Sequence, residues 1–242
     1  MVLRGVAAHS KQHSVADLTH NLTRKLAQFV RNETIEAAQP CVNNATLPAR
    51  WSTRPGPFLV KATAVVDLAP NHSPQFDSLR LACIGHLERC LQSVDHMILD
   101  MLHPALYFAE GLVRYGATGQ RTARKILSVC LKVLRHDGAL PERIHSHDAA
   151  VNAKYRNDVA AQSLRLGLLL RQLDGNPDED ASLDLLAKFL IGRVDTRGRI
   201  GFDSDSNTTT ANTWTAMFTE QALRWYSERD ADPSVINAEL LV

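Results

Sequence analysis

Residues 213–226 read TWTAMFTEQALRWY, and the fold turns on the observation that this stretch recurs. Its inner triplet, Gln221-Ala222-Leu223, has counterparts in Gln162-Ser163-Leu164 and Glu110-Gly111-Leu112: polar, small, leucine each time. Each triplet lies in a segment that opens on a proline or polar start signal and then runs with helical spacing. Those segments are 104–115, 158–170 and 213–226, and a fourth of the same character is 57–68; the starts lie 47, 54 and 55 residues apart. Proline in the first turn costs a helix nothing, since its missing N–H has no partner there. His103, Asn157 and Asn212 stand where a cap residue accepts a backbone proton.

Between these segments lie helices of another kind, at 14–31, 76–92, 122–135 and 182–194. In the last of them Leu183, Leu186, Phe189 and Leu190 form an apolar stripe, with Asp184 and Lys188 paired on the outside. The chain thus alternates a solvent-facing helix with a more enclosed one. Loops from the enclosed helix to the next outer one are short; those returning are long and resemble one another. Ala45-Thr46-Leu47-Pro48-Ala49-Arg50-Trp51 parallels Gly138-Ala139-Leu140-Pro141-Glu142-Arg143-Ile144, and Gly198-Arg199-Ile200-Gly201-Phe202 takes the same place in the last unit. Glycine followed by a short apolar stretch predicts a turn and a piece of extended chain over one end of the helices. Long loops are uncommon unless they carry function.

The prediction is an all-α fold of about four helical hairpins, at roughly 14–69, 76–115, 121–171 and 182–227, in a single domain spanning 1–242 with a tail at 228–242. Hydrophobic residues make up 45% and charged residues 22% of the 242, as in ordinary globular chains, and the formal net charge is +1. Without a basic tract interleaved with aromatics, nucleic acid is a poor partner. No run of 18 apolar residues predicts a membrane span, and residues 1–10 lack the apolar core of an export signal, so a cytoplasmic setting is expected. Five Asn-x-Ser/Thr sequons therefore read as chance. Cys41, Cys83, Cys90 and Cys130 form no CxxC pair; the last three fall in helical patterns, as buried reduced thiols do.

Outer helix, long loop with a short extended stretch, inner helix, short turn: over residues 14–227 this order resembles the α/α-toroid organisation of the six-hairpin glycosidase-like proteins. The resemblance is architectural. A complete toroid of that kind has twelve helices and eight are read here, so the chain corresponds to a partial or small ring, or to one that closes by association with itself or a partner chain. In enzymes of that fold the inner helices surround a funnel and the long loops line its mouth. The resemblance therefore implies a functional end where the inner helices begin.

That end collects the chemistry-bearing residues. His103, Tyr107 and Glu110 share one helix face at i, i+4, i+7. Tyr155, Arg156 and Asp158 lead into the third enclosed helix, with Gln162 a turn further. Asn212 and Trp214 open the fourth, with Gln221 two turns below on the same face, and Arg54 precedes the first. Polar groups with flat aromatic surfaces suit a sugar, whose C–H faces stack and whose hydroxyls take paired polar partners. Hydrolysis of a glycosidic bond needs two carboxyl groups, from Glu110, Asp148, Asp158, Asp203 and Asp205. Uronate lyase or epimerase chemistry needs a base near a C–H and cations or amides for the carboxylate, and Tyr107 with His103, Arg156 and Asn212 fits it. Hydrolysis leads. The catalytic candidates are Glu110, Asp158, Asp148 and Tyr107; the substrate-binding candidates are His103, His147, Arg156, Gln162, Asn212, Trp214 and Gln221. The bland readings are a core role for Tyr107, capping for His103 and Asn212, and loop-bonding for Glu110 and Gln221. His145-Ser146-His147-Asp148 offers metal-type donors but lacks further evident ligands, so neither a metal nor a cofactor is expected. The alternative class is a non-catalytic helical-repeat protein, or a piece of a larger toroid enzyme, whose concave face takes a partner.

Overall fold

The computed structural model describes residues 56–61, 74–94, 101–144, 154–203 and 211–237. Six α-helices occur among them, with no strand: α1 (Pro74–Ser93), α2 (Leu102–Leu112), α3 (Gly116–Lys132), α4 (Asn157–Asp174), α5 (Asp180–Arg193) and α6 (Thr213–Glu228). The expected outer helix at 14–31 and loop at 45–51 lie outside the described residues. The chain divides into two compact units between Met97 and Ile98, a point inside the expected hairpin at 76–115.

In the first unit, residues 57–61 form a 3-10 turn, closed by Leu59 N–H donating to the Gly56 carbonyl at 3.0 Å. The remainder of the helix expected at 57–68 lies outside the described residues. Leu59 packs with Ala82 of α1 and with Phe58. On α1, Cys83, His86, Leu87 and Cys90 are buried, and Cys90 Sγ lies 3.5 Å from His86 Nε2. Cys83 and Cys130 are free cysteines, both buried.

In the second unit α4 is the hub, packing against α2, α3, α5 and α6. Its sequence explains why: Leu164, Leu166, Leu168, Leu169 and Leu170 put apolar side chains all round the helix, and such a helix is stable only when covered on every side. Each fully buried leucine contributes about 1.5–3 kcal/mol. Gly167 permits the approach of α5; a Cβ there would meet Leu183 Cδ2 at 2.3 Å. The outer helices α3 and α5 bury only stripes (Ala123, Ile126, Leu127 and Cys130; Leu183, Leu186, Ala187 and Leu190) and turn their charges outward. The last helix, α6, buries Phe218, Ala222 and Trp225 but exposes Trp214, Glu220 and Arg224.

The two long loops fold alike. After α3, Gly138 N–H donates to the Arg135 carbonyl at 2.9 Å and Arg135 N–H to Ala139 at 3.1 Å. After α5, Gly198 N–H donates to Asp195 at 2.9 Å and Asp195 N–H to Arg199 at 2.9 Å. Next comes a buried apolar residue, Leu140 or Ile200, whose carbonyl accepts from Arg156 N–H or Asn212 N–H respectively, each at 3.1 Å, just before an inner helix. Isolated antiparallel bridges join Met101 to Arg143, Pro141 to Tyr155, Arg156 to Asp203 and Gly201 to Ala211. The N-terminal ends of α2, α4 and α6 are thus stitched together by backbone.

This stitching corrects two of the expected caps. His103 and Asn157 lie inside their helices; Met101 and Arg156 precede α2 and α4, and neither makes a side-chain cap. None is needed there, because Leu102 N–H donates to Glu142 at 3.1 Å and Asn157 N–H to Phe202 at 3.2 Å. Asn212 does cap α6, its Oδ1 accepting from Thr215 N–H at 2.9 Å.

Candidate functional site

Three helices carry residues at i, i+4, i+7: His103, Tyr107 and Glu110 on α2, Asp158, Gln162 and Arg165 on α4, and Trp214, Phe218 and Gln221 on α6. Their contacts follow the same order along each helix, so the three run parallel and the residues meet in layers.

The outermost layer is ionic. Arg156 grips Asp158 with two hydrogen bonds, Nε to Oδ1 at 2.9 Å and Nη2 to Oδ2 at 2.5 Å. His103 Nδ1 lies 3.2 Å from Asp158 Oδ2. Arg156 also donates from Nη1 to Glu142 at 3.3 Å and lies over the Phe202 ring at 4.2 Å. A paired guanidinium and carboxylate fit two parallel bonds, the strongest form of this contact. Asn157 fixes the neighbouring loop, its Nδ2 donating to the Gly201 and Asp203 carbonyls at 3.0 and 3.1 Å.

The middle layer is aromatic. Tyr107 meets His103 edge-on at 4.9 Å between ring centroids and Phe218 at 6.1 Å. Trp214 packs on Phe218 at 5.4 Å, and its indole Nε1 donates to the Tyr107 hydroxyl at 3.1 Å. The tryptophan remains 39% exposed. Burial pushes the Tyr107 phenol well above its ordinary pKa, and the nearby Glu110 carboxylate adds to the shift.

The innermost layer is a second buried ion pair. Arg165 donates from Nη2 to Glu110 Oε1, from Nη1 to Gln221 Oε1 at 2.7 Å, and lies over the Phe218 ring at 4.3 Å. Neither charged side chain of the pair is exposed. Burying one charge without the other is costly, so each requires its partner.

The structure thus brings His103, Tyr107, Glu110, Arg156, Asp158, Trp214 and Gln221 into one connected cluster. Asn212 stands at its edge, with its side-chain oxygen committed to the start of α6. Tyr155 sits outside the layers, under the Arg135 guanidinium at 4.6 Å. Asp148, His147, His145, Asp205 and Arg54 lie outside the described residues. The shared triplet needs one change of register: Arg165, not Gln162, stands level with Glu110 and Gln221. Arg165, Glu142, Phe202 and Phe218 were missed in the sequence. Arg165 did leave a signal, a lone cation inside the apolar run 164–170. Among the described residues no three His, Cys, Asp or Glu side chains gather as metal donors. None of the described helices is long and apolar enough to cross a membrane.

No protein-family model matches the chain, and none of the curated proteins or solved structures compared with it matches.

Proposed function

We propose that this chain is a carbohydrate-active protein of α/α-toroid type, binding a sugar or oligosaccharide where α2, α4 and α6 begin. The observation that carries the reading is Trp214. Its ring is more than one-third exposed, yet it is held by the Tyr107 hydroxyl and by Phe218, above a layered polar interior. A solvent-facing aromatic surface beside polar groups is what stacking on a sugar ring requires. The repeated turn and bridge after α3 and α5 supports the toroid-type arrangement.

Glycoside hydrolysis is the leading chemistry, and it needs two carboxyl groups free to face the substrate. Asp158 is held by Arg156, and Glu110 by Arg165. Asp148, outside the described residues, is therefore the carboxyl group on which the hydrolase reading is tested. The same saturation favours a second reading, sugar binding without catalysis. A partner-binding repeat is less well supported: among the described residues the exposed large apolar side chains of α2, α4 and α6 are Trp214 and Leu173, on different helices.

The test is intrinsic fluorescence under titration with neutral and acidic oligosaccharides, set beside Trp214→Phe. Sugar binding predicts a saturable change that disappears in the variant; replacement by alanine weakens binding about tenfold, the value of a lost aromatic stack. A chain whose emission no sugar alters lacks this function. Product analysis with wild type and Asp148→Asn then separates hydrolysis from binding alone.

A further inference from the structure

Gln162 is fully buried, and among the described residues neither Oε1 nor Nε2 has a hydrogen-bond partner. A polar group in a helical interior normally finds one. Its position makes the exception specific. One turn before it Asp158 is engaged by Arg156, and one turn after it Arg165 is engaged by Glu110 and Gln221. Gln162 therefore occupies the middle layer, level with Tyr107 and Phe218, and is the polar member of an aromatic tier. The same tier holds the Tyr107–Trp214 hydrogen bond, on a partly exposed indole ring that also packs on Phe218.

We propose that Gln162 is the recognition group for a neutral sugar, reached when Trp214 parts from Tyr107; this deepens, and rests on, the sugar-binding reading. An amide offers a donor and an acceptor side by side. A vicinal diol or an acetamido group satisfies both, giving a hydrogen to Oε1 and taking one from Nε2. A uronate presents the same diols, but its carboxylate brings a negative charge to an interior whose two arginines, Arg156 and Arg165, already hold carboxylates. The class selected is thus neutral hexoses or N-acetylhexosamines, with uronic acids rejected. Because entry separates Trp214 from Tyr107, binding is reported by the tryptophan itself.

The experiment titrates the 242-residue chain with glucose, N-acetylglucosamine, their short oligomers and glucuronate, following tryptophan emission against a Trp214→Phe control. Wild type is compared with Gln162→Leu and, should the leucine variant not fold, Gln162→Met. The inference predicts saturable binding of at least one neutral sugar, at least tenfold weaker binding of glucuronate, and at least tenfold loss in the variant. It also predicts that the variant's melting temperature is unchanged or higher, since an unpartnered buried amide has been removed. Equal neutral-sugar binding by wild type and variant overturns the role of Gln162 and leaves the sugar reading standing. Equal binding of glucuronate and glucose overturns the neutral class. A wild-type chain that responds to no sugar overturns both.

Discussion

Removing one member of the Glu110–Arg165 pair gives the sharpest prediction from this interior. Both side chains are fully buried, and Arg165 also holds Gln221 and lies over Phe218. Glu110→Leu leaves a guanidinium in an apolar interior with one neutral hydrogen bond. Arg165→Met leaves a carboxylate in the same position. Stripping one partner from a buried pair costs about 3–5 kcal/mol. For a unit the size of Ile98–Val242, roughly 2–4 °C per kcal/mol, each single change lowers the melting temperature by roughly 6–20 °C. The double variant Glu110→Leu/Arg165→Met removes both charges and takes the Arg165 hydrogen bond from the Gln221 oxygen, a loss of about 1–3 kcal/mol. The double thus loses less than either single, and the cycle yields a coupling of at least about 3 kcal/mol. Urea unfolding followed by far-UV circular dichroism, with m-values compared across all four proteins, measures it. If the two single losses simply add, or either falls below about 1 kcal/mol, the pair is not the closed unit described here.

Gly138 and Gly198 occupy matching turns at φ +86° and +73°, but a Cβ at Gly138 meets the Leu185 carbonyl at 2.3 Å whereas at Gly198 it meets nothing within 4 Å. Gly198→Ala should therefore cost only the left-handed backbone strain of about 1–2 kcal/mol, and Gly138→Ala distinctly more, as read by chemical denaturation. Burial pushes the Cys83 and Cys130 thiols up to about 12. Both should resist alkylation by iodoacetamide at pH 8 in the folded chain and react fully in urea, as mass spectrometry would record. Tyr107 stays protonated above the ordinary tyrosine pKa of 10.0 while the unfolded chain loses its proton there. Its contribution is complete below that pH and is lost as pH climbs toward the raised folded value. Tyr107→Phe should accordingly flatten the alkaline fall in stability, measured by thermal melts between pH 9 and 11.

Helical spacing made five of the six described helices of α1–α6 legible to within a few residues, because leucine periodicity and burial coincide in them; α3 begins earlier than its apolar pattern suggested. Its first turn, Gly116-Ala117-Thr118-Gly119, carries no large apolar residue to announce it. Helix starts were harder for a different reason. Sequence shows a residue able to cap, but at α2 and α4 the free N–H groups are taken by carbonyls of a loop remote in the chain. The candidate site was half legible. Tyr107, His103, Asp158 and Trp214 declared themselves by spacing along single helices. The Arg165 pairing runs 55 residues to Glu110 and 56 to Gln221, and no local pattern specifies partners so far apart.

The bridges at the helix beginnings have a consequence for what this scaffold tolerates. The chain leaves the stitched frame after residue 144 and is again paired at Lys154 and Tyr155, where Glu142 N–H donates to Lys154 at 2.8 Å and Pro141 bridges Tyr155. It leaves once more after Asp203 and returns at Ala211 opposite Gly201. In both cases the described ends are held on neighbouring backbone. Doubling the length of such an insert adds only about 0.6 kcal/mol of closure entropy. Changes in chain length between Arg143 and Tyr155, or between Asp203 and Ala211, should therefore leave the pairing at the helix beginnings intact, so that such insertions shift the melting temperature little.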